Sequence, residues 1–242
     1  MPLALASCVL APGKFVSTLR IDADRHFAFT YVGEVIALDM SNDMTKGFGD
    51  TSSGDKTDPT GDNGDAAPKR QTLGFQAADK DENKDKAAET AAKKAEADRK
   101  NRAIAEALSK EAGYRKVAYL GDGKFSIDYA ISGTLDHSFV YPFNLDAEIM
   151  FPFVVVEVRA NNTVRVKAPG YAAGDNEKGM PGTNKASSQL DGVFTLDTNA
   201  EIVSQNNEEG AVTTGGRKTV TWKATPLSKD PPTAVLRMAA VK

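Results

Sequence analysis

Cysteine is almost absent from this chain: Cys8 is the only one among 242 residues. A disulfide within the chain is therefore impossible. Histidine is nearly as scarce, with only His26 and His137. A zinc site needs several converging His, Cys or carboxylate ligands, so we predict no metal site and no cofactor.

Long apolar runs and an excess of positive charge are also missing. No stretch approaches the ~20 apolar residues of a transmembrane helix. The net charge is −3 and the pI is about 5.5, whereas nucleic-acid binding needs a concentrated basic patch. We therefore predict that nucleic acid is not a partner.

Catalytic groups are few. Asp136-His137-Ser138 contains the residue types of a catalytic triad, but neighbouring side chains of a strand point to opposite faces. Such neighbours cannot form the chain of hydrogen bonds that a triad requires. The glycine-rich stretch 169–188 has neither a Walker lysine pattern nor a dinucleotide fingerprint. We predict that the protein is not an enzyme, with an unrecognised hydrolase as the remote alternative.

What the chain does contain is a meander of strands over residues 114–168. Large apolar side chains alternate with small or polar ones in the segment 124–135, which is the period-two signature of a strand with one wet face. Residues 151–156 are apolar on both faces, which predicts an interior strand. Turns are predicted at 121–123 and 161–162. The predicted strands are 116–120, 124–135, 149–159, 163–168, 190–196, 201–204, 218–224 and 233–239.

A hairpin is predicted before the meander, after a short tether at 11–13. Phe15, Leu19 and Ile21 share one face of its first strand, and the return strand begins at Phe27. Cross-strand aromatic and β-branched pairs stabilise such a ribbon. Because an isolated hairpin is marginally stable, we expect it to join the later sheet.

Between the hairpin and the meander lie a polar linker and a charged helix. Residues 41–75 are rich in Asp and Gly, with little to bury, which predicts disorder. Residues 76–113 are rich in Ala, Lys and Glu, and pairs such as Glu89/Lys93 and Asp98/Arg102 have the favourable i,i+4 order. Ile104 and Leu108 form the stripe that should dock on the sheet.

These elements predict a single α+β domain with a largely antiparallel β-sheet, one long helix packed across it and a disordered insertion. The domain organisation is a truncated lipoprotein signal peptide with lipobox at 1–8, an N-terminal hairpin at 9–40, the linker at 41–75, the charged helix at 76–113 and the main sheet region at 114–242.

A curved sheet with a helix across it can enclose a space for an apolar ligand. The alternative is that the same side chains fill the core; for Trp222, a core anchor is the simpler interpretation. The candidate groove-lining residues are Phe27, Phe29, Tyr31, Phe125, Ile127, Tyr129, Phe153 and Trp222.

Leu5-Ala6-Ser7-Cys8 resembles the lipobox of bacterial lipoproteins, in which a signal peptide is cut before the cysteine and the cysteine is acylated. No basic residue precedes the apolar run, which is shorter than the usual 7–15 residues, so we expect a start that is misplaced or trimmed. Val9 stands where a retention signal would place Asp. By resemblance to the sorting rule of enteric bacteria, this favours the outer membrane, with the domain facing the periplasm. The alternative is a cytosolic protein with an ordinary apolar N-terminus.

The order of elements resembles envelope lipoproteins of the LppM type: a lipobox at Cys8, a hairpin directly after it, a helical crossover and a tryptophan-bearing C-terminal region. The stretches that carry this resemblance are Gly192-Val193-Phe194, Glu201-Ile202-Val203, Asn206-Asn207 and Thr221-Trp222-Lys223. The segment from Pro12 to Phe15 is similar to the start of uncharacterised proteobacterial lipoproteins.

This resemblance implies an α+β domain related to lipid-binding folds and a role with envelope glycolipids. We therefore expect a membrane-anchored envelope lipoprotein, palmitoylated at Cys8, that binds lipid or glycolipid without catalysis. The alternative is an envelope interaction protein that docks a partner through its charged helix and linker.

Overall fold

A computed structural model of the chain describes residues 9–38, 82–142, 152–173 and 187–240. Cys8, the predicted linker 41–75 and positions 174–186 of the glycine-rich stretch lie outside the described residues. The elements are β1 (Val9–Ile21), β2 (His26–Leu38), α1 (Glu82–Leu108), β3 (Tyr114–Gly121), β4 (Lys124–Thr134), β5 (Phe139–Tyr141), β6 (Val154–Arg159), β7 (Thr163–Lys167), β8 (Asp191–Thr198), β9 (Glu201–Gln205), β10 (Val212–Thr214), β11 (Arg217–Ala224) and β12 (Thr233–Arg237), with a 3-10 turn at Pro169–Tyr171.

The larger sheet has seven strands in the order β10-β11-β8-β1-β2-β4-β3. Its middle strand, β1, pairs antiparallel with β2 and parallel with β8. The first residues of the described chain therefore occupy the centre of the sheet, and strands from both ends of the sequence are added on either side of them.

The smaller sheet has five strands in the order β5-β6-β7-β12-β9. The single continuous meander predicted for 114–168 is wrong in this respect, because β3 and β4 belong to the larger sheet whereas β5, β6 and β7 belong to the smaller one. A bend after Leu135 carries the chain from one sheet to the other. The interior position predicted for the apolar strand is confirmed, since β6 lies between β5 and β7.

The two sheets pack face to face through large apolar side chains, among them Phe29, Tyr141 and Phe153, which are fully buried. Burying such side chains contributes about 1.5–3 kcal/mol each. Antiparallel pairing dominates both sheets, and the helix packs on β3 of the larger one. The predicted α+β class is confirmed.

Helix α1 docks through its C-terminal half. Ala105 is buried and Ile104 is half-buried against the core, as the apolar stripe predicted. The Glu89–Lys93 pair forms at 2.7 Å. Asp98 and Arg102, predicted as a pair, both contact Tyr119 on β3: the tyrosine hydroxyl donates to Asp98, and the guanidinium lies 5.8 Å from the ring centre.

The predicted tether at 11–13 is wrong, because these residues belong to β1. Pro12 pairs with Val35 of β2, and the register shifts between Pro12 and Phe15. Strand β8 begins opposite Lys14, so β1 has only one described neighbour at the proline. Proline cannot donate to a ladder and is tolerated at edges and bulges, which is the local situation here.

Candidate functional site

Seven of the eight candidate groove residues occupy the face of the larger sheet that packs on the rest of the molecule, and Phe153 lies directly before β6 of the smaller sheet. All except Phe27, which is half-buried, are buried in one hydrophobic core. Phe29 and Tyr129 approach to 6.2 Å between ring centres, and Tyr31 and Phe153 to 5.8 Å. Trp222 lies apart from these rings, stacked on Phe194 at 5.6 Å.

The core contains a continuous chain of aromatic rings that crosses the molecule from β3 to β11. Neighbouring ring centres in this chain are 4.2–5.6 Å apart, which is the range of direct aromatic packing. The ring chain runs Tyr114, Tyr129, Tyr141, Tyr31, Phe15, Tyr171, Phe194 and Trp222.

Five members of this ring chain were not candidates from the sequence: Phe15, Tyr114, Tyr141, Tyr171 and Phe194. The alternation of core-facing and outward-facing residues along β1 and β8 could have identified Phe15 and Phe194 as core residues. Tyr171 lies in a 3-10 turn after Pro169, where no periodic pattern marks a buried residue. Direct ring contact favours the core interpretation of the predicted lining residues; a ligand groove formed by them stays a prediction.

The buried tyrosines differ in their hydroxyl groups. The Tyr31 hydroxyl donates to the Glu34 carbonyl at 2.7 Å, whereas the buried Tyr171 hydroxyl lies near the Ser17 side chain and makes no hydrogen bond of standard geometry within the described residues. Burial raises the pKa of Tyr31, Tyr141 and Tyr171 well above the ordinary range, and raises that of Tyr114 to about 12. All four phenols are therefore neutral at physiological pH.

Trp222 is fixed by both packing and a hydrogen bond. Its ring is 8% exposed, and Val220 and Ala224 on the same face of β11 are buried beside it. Its indole N–H donates to the Asn206 side-chain oxygen at 3.1 Å. This arrangement is that of the core anchor predicted for Trp222.

Asp136 and His137 contact each other, contrary to the sequence argument. That argument assumed a strand, but these residues form an exposed bend, in which adjacent side chains can meet. The hydrogen bond with His137 lowers the pKa of the Asp136 carboxyl. The Ser138 hydroxyl accepts a hydrogen bond from the Val158 amide at 3.3 Å, so this side chain contacts β6.

Within the described part of the chain, no three His, Cys, Asp or Glu side chains converge as metal ligands would. In the same residues, no helix combines the length and apolar character needed to span a bilayer.

The opposite face of the larger sheet, which we call the outer face, carries the residues that alternate with the core set. One row of four threonines runs in register across β2, β1, β8 and β11: Thr30, Thr18, Thr195 and Thr221. The next row contains Val32, Val16 and Val193. Val16, Val32 and Thr221 of these rows are exposed, and the other members are half-buried.

Comparison with known proteins gives structural similarity but no match in sequence. No protein-family model and no curated protein matches the chain. Among solved structures, the chain is similar to the NMR structure of the folded domain of LppM from Mycobacterium tuberculosis. The TM-score is 0.32 and the identity 15%, over 96% of this chain and 93% of that chain. Similarity at this level assigns neither a family nor a function.

Proposed function

We propose that this chain is a membrane-anchored bacterial envelope lipoprotein with a non-enzymatic binding domain. The observation that carries the proposal is the position of Cys8: it ends a lipobox-like Leu5-Ala6-Ser7-Cys8 sequence and directly precedes β1, the middle strand of the larger sheet. An acylated Cys8 would hold this sheet at the membrane surface. Each buried CH₂ of an acyl chain contributes about 0.8 kcal/mol, and stable anchoring takes more than one chain.

The expected location is the periplasmic side of the envelope. Val9, which follows the cysteine, favours the outer membrane over the inner one, as the sorting rule of enteric bacteria implies. Among the described residues, His26 pairs with Asp24 at 3.0 Å, and His137 pairs with Asp136. The Ser138 hydroxyl, next to His137 in sequence, accepts a hydrogen bond from the Val158 amide of β6, and this contact supports a binding role over a hydrolytic one.

Anchoring is tested by feeding cells an alkyne-tagged fatty acid and isolating the full chain and its Cys8→Ser variant. We expect the tag and membrane fractionation for the wild type, and loss of both for the variant. An unmodified Cys8 thiol in the mature wild-type protein, found by intact mass spectrometry, would contradict the proposal.

A lipid or glycolipid is the first candidate ligand. The half-buried pair Phe27 and Phe139, with ring centres 5.3 Å apart, offers partly accessible aromatic surface beside the core. Native mass spectrometry of the full chain should show a reproducible adduct of lipid mass that Phe27→Ser removes. Leu227→Ser, at an 86% exposed loop position, is the matched control and should keep it. A clean apo mass with added envelope lipids would reject this ligand class.

A protein partner in the envelope is the second candidate. The packed rings of the core favour surface binding, and residues 88–96 of α1 are all exposed. A photo-crosslinking side chain at Ala92 should then capture one envelope protein reproducibly, whereas the same group at the exposed loop residue Leu227 should not. Equal capture at both positions would contradict docking through the helix.

A further inference from the structure

We infer that the outer face of the seven-stranded sheet lies flat against an anionic lipid surface. This inference rests on the proposed Cys8 anchor, and it adds the orientation of the domain and the chemistry of the surface it contacts.

The first support is the distribution of exposed apolar side chains. Of the six large hydrophobic residues that the described chain exposes, four share the outer face: Val16 at 59%, Val32 at 49%, Leu120 at 55% and Val212 at 66%. Val16 and Val32 alternate with the buried residues of β1 and β2, Leu120 follows the core-facing Tyr119 on β3, and Val212 lies opposite Thr219, which alternates with the buried Val220. They span the sheet from β3 to β10, so the apolar contact is distributed and not a single patch.

The second support is the shape of the face between these residues. The side chains there are mostly small or β-branched, including the threonine row and the alanines Ala28 and Ala130. No aromatic ring projects from the central strands on this side, since Phe15, Phe29, Tyr129 and Phe194 all point into the core. Between the long charged side chains of this face, these small residues leave a low surface that can approach a lipid headgroup layer.

The third support is charge. Lys14, Lys116 and Lys223 are exposed on this face, and none of them forms an ion pair within the described residues. The neighbouring Arg20, Arg115 and Lys124 are paired with acids at 3.1, 2.5 and 3.3 Å. Asp197 is likewise paired, with Arg217, which leaves Asp191 beside Lys14 as the exposed acid.

Three unpaired lysines against one unpaired acid make this face positive, although the whole chain carries −3. Basic side chains near an anionic leaflet are attracted to it, and the attraction falls off within a Debye length. The face therefore combines exposed apolar residues with cations, which is the composition of membrane-surface contacts.

The fourth support is continuity with the anchor. Strand β1 starts at Val9 and carries Lys14 and Val16 on the outer face. At about 3.3 Å per residue, both lie within roughly 25 Å of the acylation position along a strand that runs in the plane of the sheet. An upright arrangement would bring only the 121–123 hairpin end to the membrane and would leave Lys223 and Val212 in water.

The experiment uses the single cysteine as a handle. The full chain is coupled through Cys8 to a maleimide lipid in vesicles of phosphatidylcholine with phosphatidylglycerol, and lysine acetylation is followed by mass spectrometry. We expect Lys14, Lys116 and Lys223 to react about five-fold more slowly than in the free chain, the factor that corresponds to the attraction of one lysine to an anionic surface. Lys100 and Lys110 on and after α1 are the internal controls and should not change.

Specificity is tested with two further samples. Vesicles of phosphatidylcholine alone should give less protection, and a Val16→Asp, Val32→Asp variant on anionic vesicles should lose it. Both valines are about half exposed, so this variant should fold as the wild type does, which circular dichroism checks. The inference would be overturned by unchanged reactivity of the three lysines or by equal protection of Lys100. Protection of Lys94 and Lys124 without protection of Lys223 would also overturn it. Protection that appears without vesicles and rises with protein concentration would overturn the inference, because it would show that a second copy of the chain covers this face.

The tether makes these outcomes independent of acylation in the cell. Lysine protection on anionic vesicles together with an unmodified Cys8 thiol in vivo would reject the proposed anchor and keep the membrane face. Acylation of Cys8 in the cell without lysine protection on vesicles would support the proposed lipid anchor and reject the membrane contact of the outer face.

Discussion

Tyr31 and Tyr171 are both fully buried, but only one of their hydroxyl groups makes a well-formed hydrogen bond. Tyr31 donates to the Glu34 carbonyl, whereas the Tyr171 hydroxyl has only the Ser17 side chain nearby, whose own hydroxyl donates to the Thr30 carbonyl. A buried polar group without a partner costs about 1–3 kcal/mol of desolvation, and a made hydrogen bond contributes about 1 kcal/mol net. The two tyrosines therefore form a natural comparison.

We predict opposite effects for the two hydroxyl deletions. Tyr31→Phe should lower the free energy of unfolding by about 1 kcal/mol, because the hydrogen bond to Glu34 is lost while the ring stays. Tyr171→Phe should leave it unchanged or raise it, because an unpaired polar group is removed. Urea unfolding of both variants measures this. A larger loss for Tyr171→Phe would show that its hydroxyl has a partner.

Asp22 gives a prediction about pH. Burial raises the pKa of this carboxyl, but hydrogen bonds from Arg217 and Arg20 lower it by more, so its folded pKa lies below the usual 3.8. A carboxyl with a lowered folded pKa stabilises the fold above its unfolded pKa, and this stabilisation is lost as the pH falls through the folded pKa.

Asp22→Asn should therefore be less stable than the wild type at pH 7, by about 1 kcal/mol. The difference should vanish at pH values below the folded pKa, where the wild-type carboxyl is also neutral. Chemical unfolding across this range measures both free energies. A difference independent of pH would assign the effect to packing instead of charge.

At the scale of the element, Tyr119 joins α1 to the sheet. Its hydroxyl donates to Asp98 on the helix and accepts from the Gly123 amide at 3.1 Å in the β3–β4 hairpin. One hydroxyl thus connects three elements of the chain, in addition to the contact of Arg102 with the ring.

Tyr119→Phe should loosen the helix without unfolding the sheets. We expect faster amide hydrogen exchange over residues 98–108 and a loss of global stability of about 1–2 kcal/mol. Lys93→Ala, which removes only an exposed i,i+4 pair, should change exchange little because such pairs contribute about 0.3–0.5 kcal/mol. Equal effects of both substitutions would contradict docking through Tyr119.

At the scale of the whole molecule, the ring chain from Tyr114 to Trp222 passes through both sheets. Tyr141 of β5 contacts Tyr129 and Tyr31 of the larger sheet at 4.7 and 5.3 Å. The core is therefore shared, and neither sheet can bury its apolar face alone.

We predict that the two sheets unfold together. Near-ultraviolet circular dichroism, which reports on the packed aromatic side chains, and far-ultraviolet circular dichroism, which reports on the strands, should give coincident transitions in denaturant. Two separated transitions would show that the sheets are independent units.

The strands were largely predictable, because period-two alternation fixes which residues are buried. The turn at Asn161-Asn162 was also predictable; both residues have positive φ, 59° and 53°. The neighbours of each strand were not. Alternation along a strand shows on which face a residue lies, but not which other strand pairs with it. The division into two sheets and the parallel pairing of β1 with β8 therefore have no signal in the local sequence.

The candidate site was predictable only in part, for the same reason. The side chains of Phe29, Tyr31 and Tyr129 were correctly placed on one face, but whether that face meets a ligand or a second sheet depends on pairing far along the chain. For the outer face, the sequence shows only which residues alternate with the core-facing ones. Its threonine row depends on the register of four strands, which the sequence does not show.

The central position of β1 has a consequence for the order of events in making this protein. The Thr198 hydroxyl donates to the Ile21 carbonyl, a contact that joins residues 177 positions apart. The second edge of β1 is therefore paired only after β8, far along the chain, has been synthesised, and such distant pairing slows folding. Until then, one edge of β1 presents unpaired backbone N–H and C=O groups, and such an edge can associate with a strand of another chain.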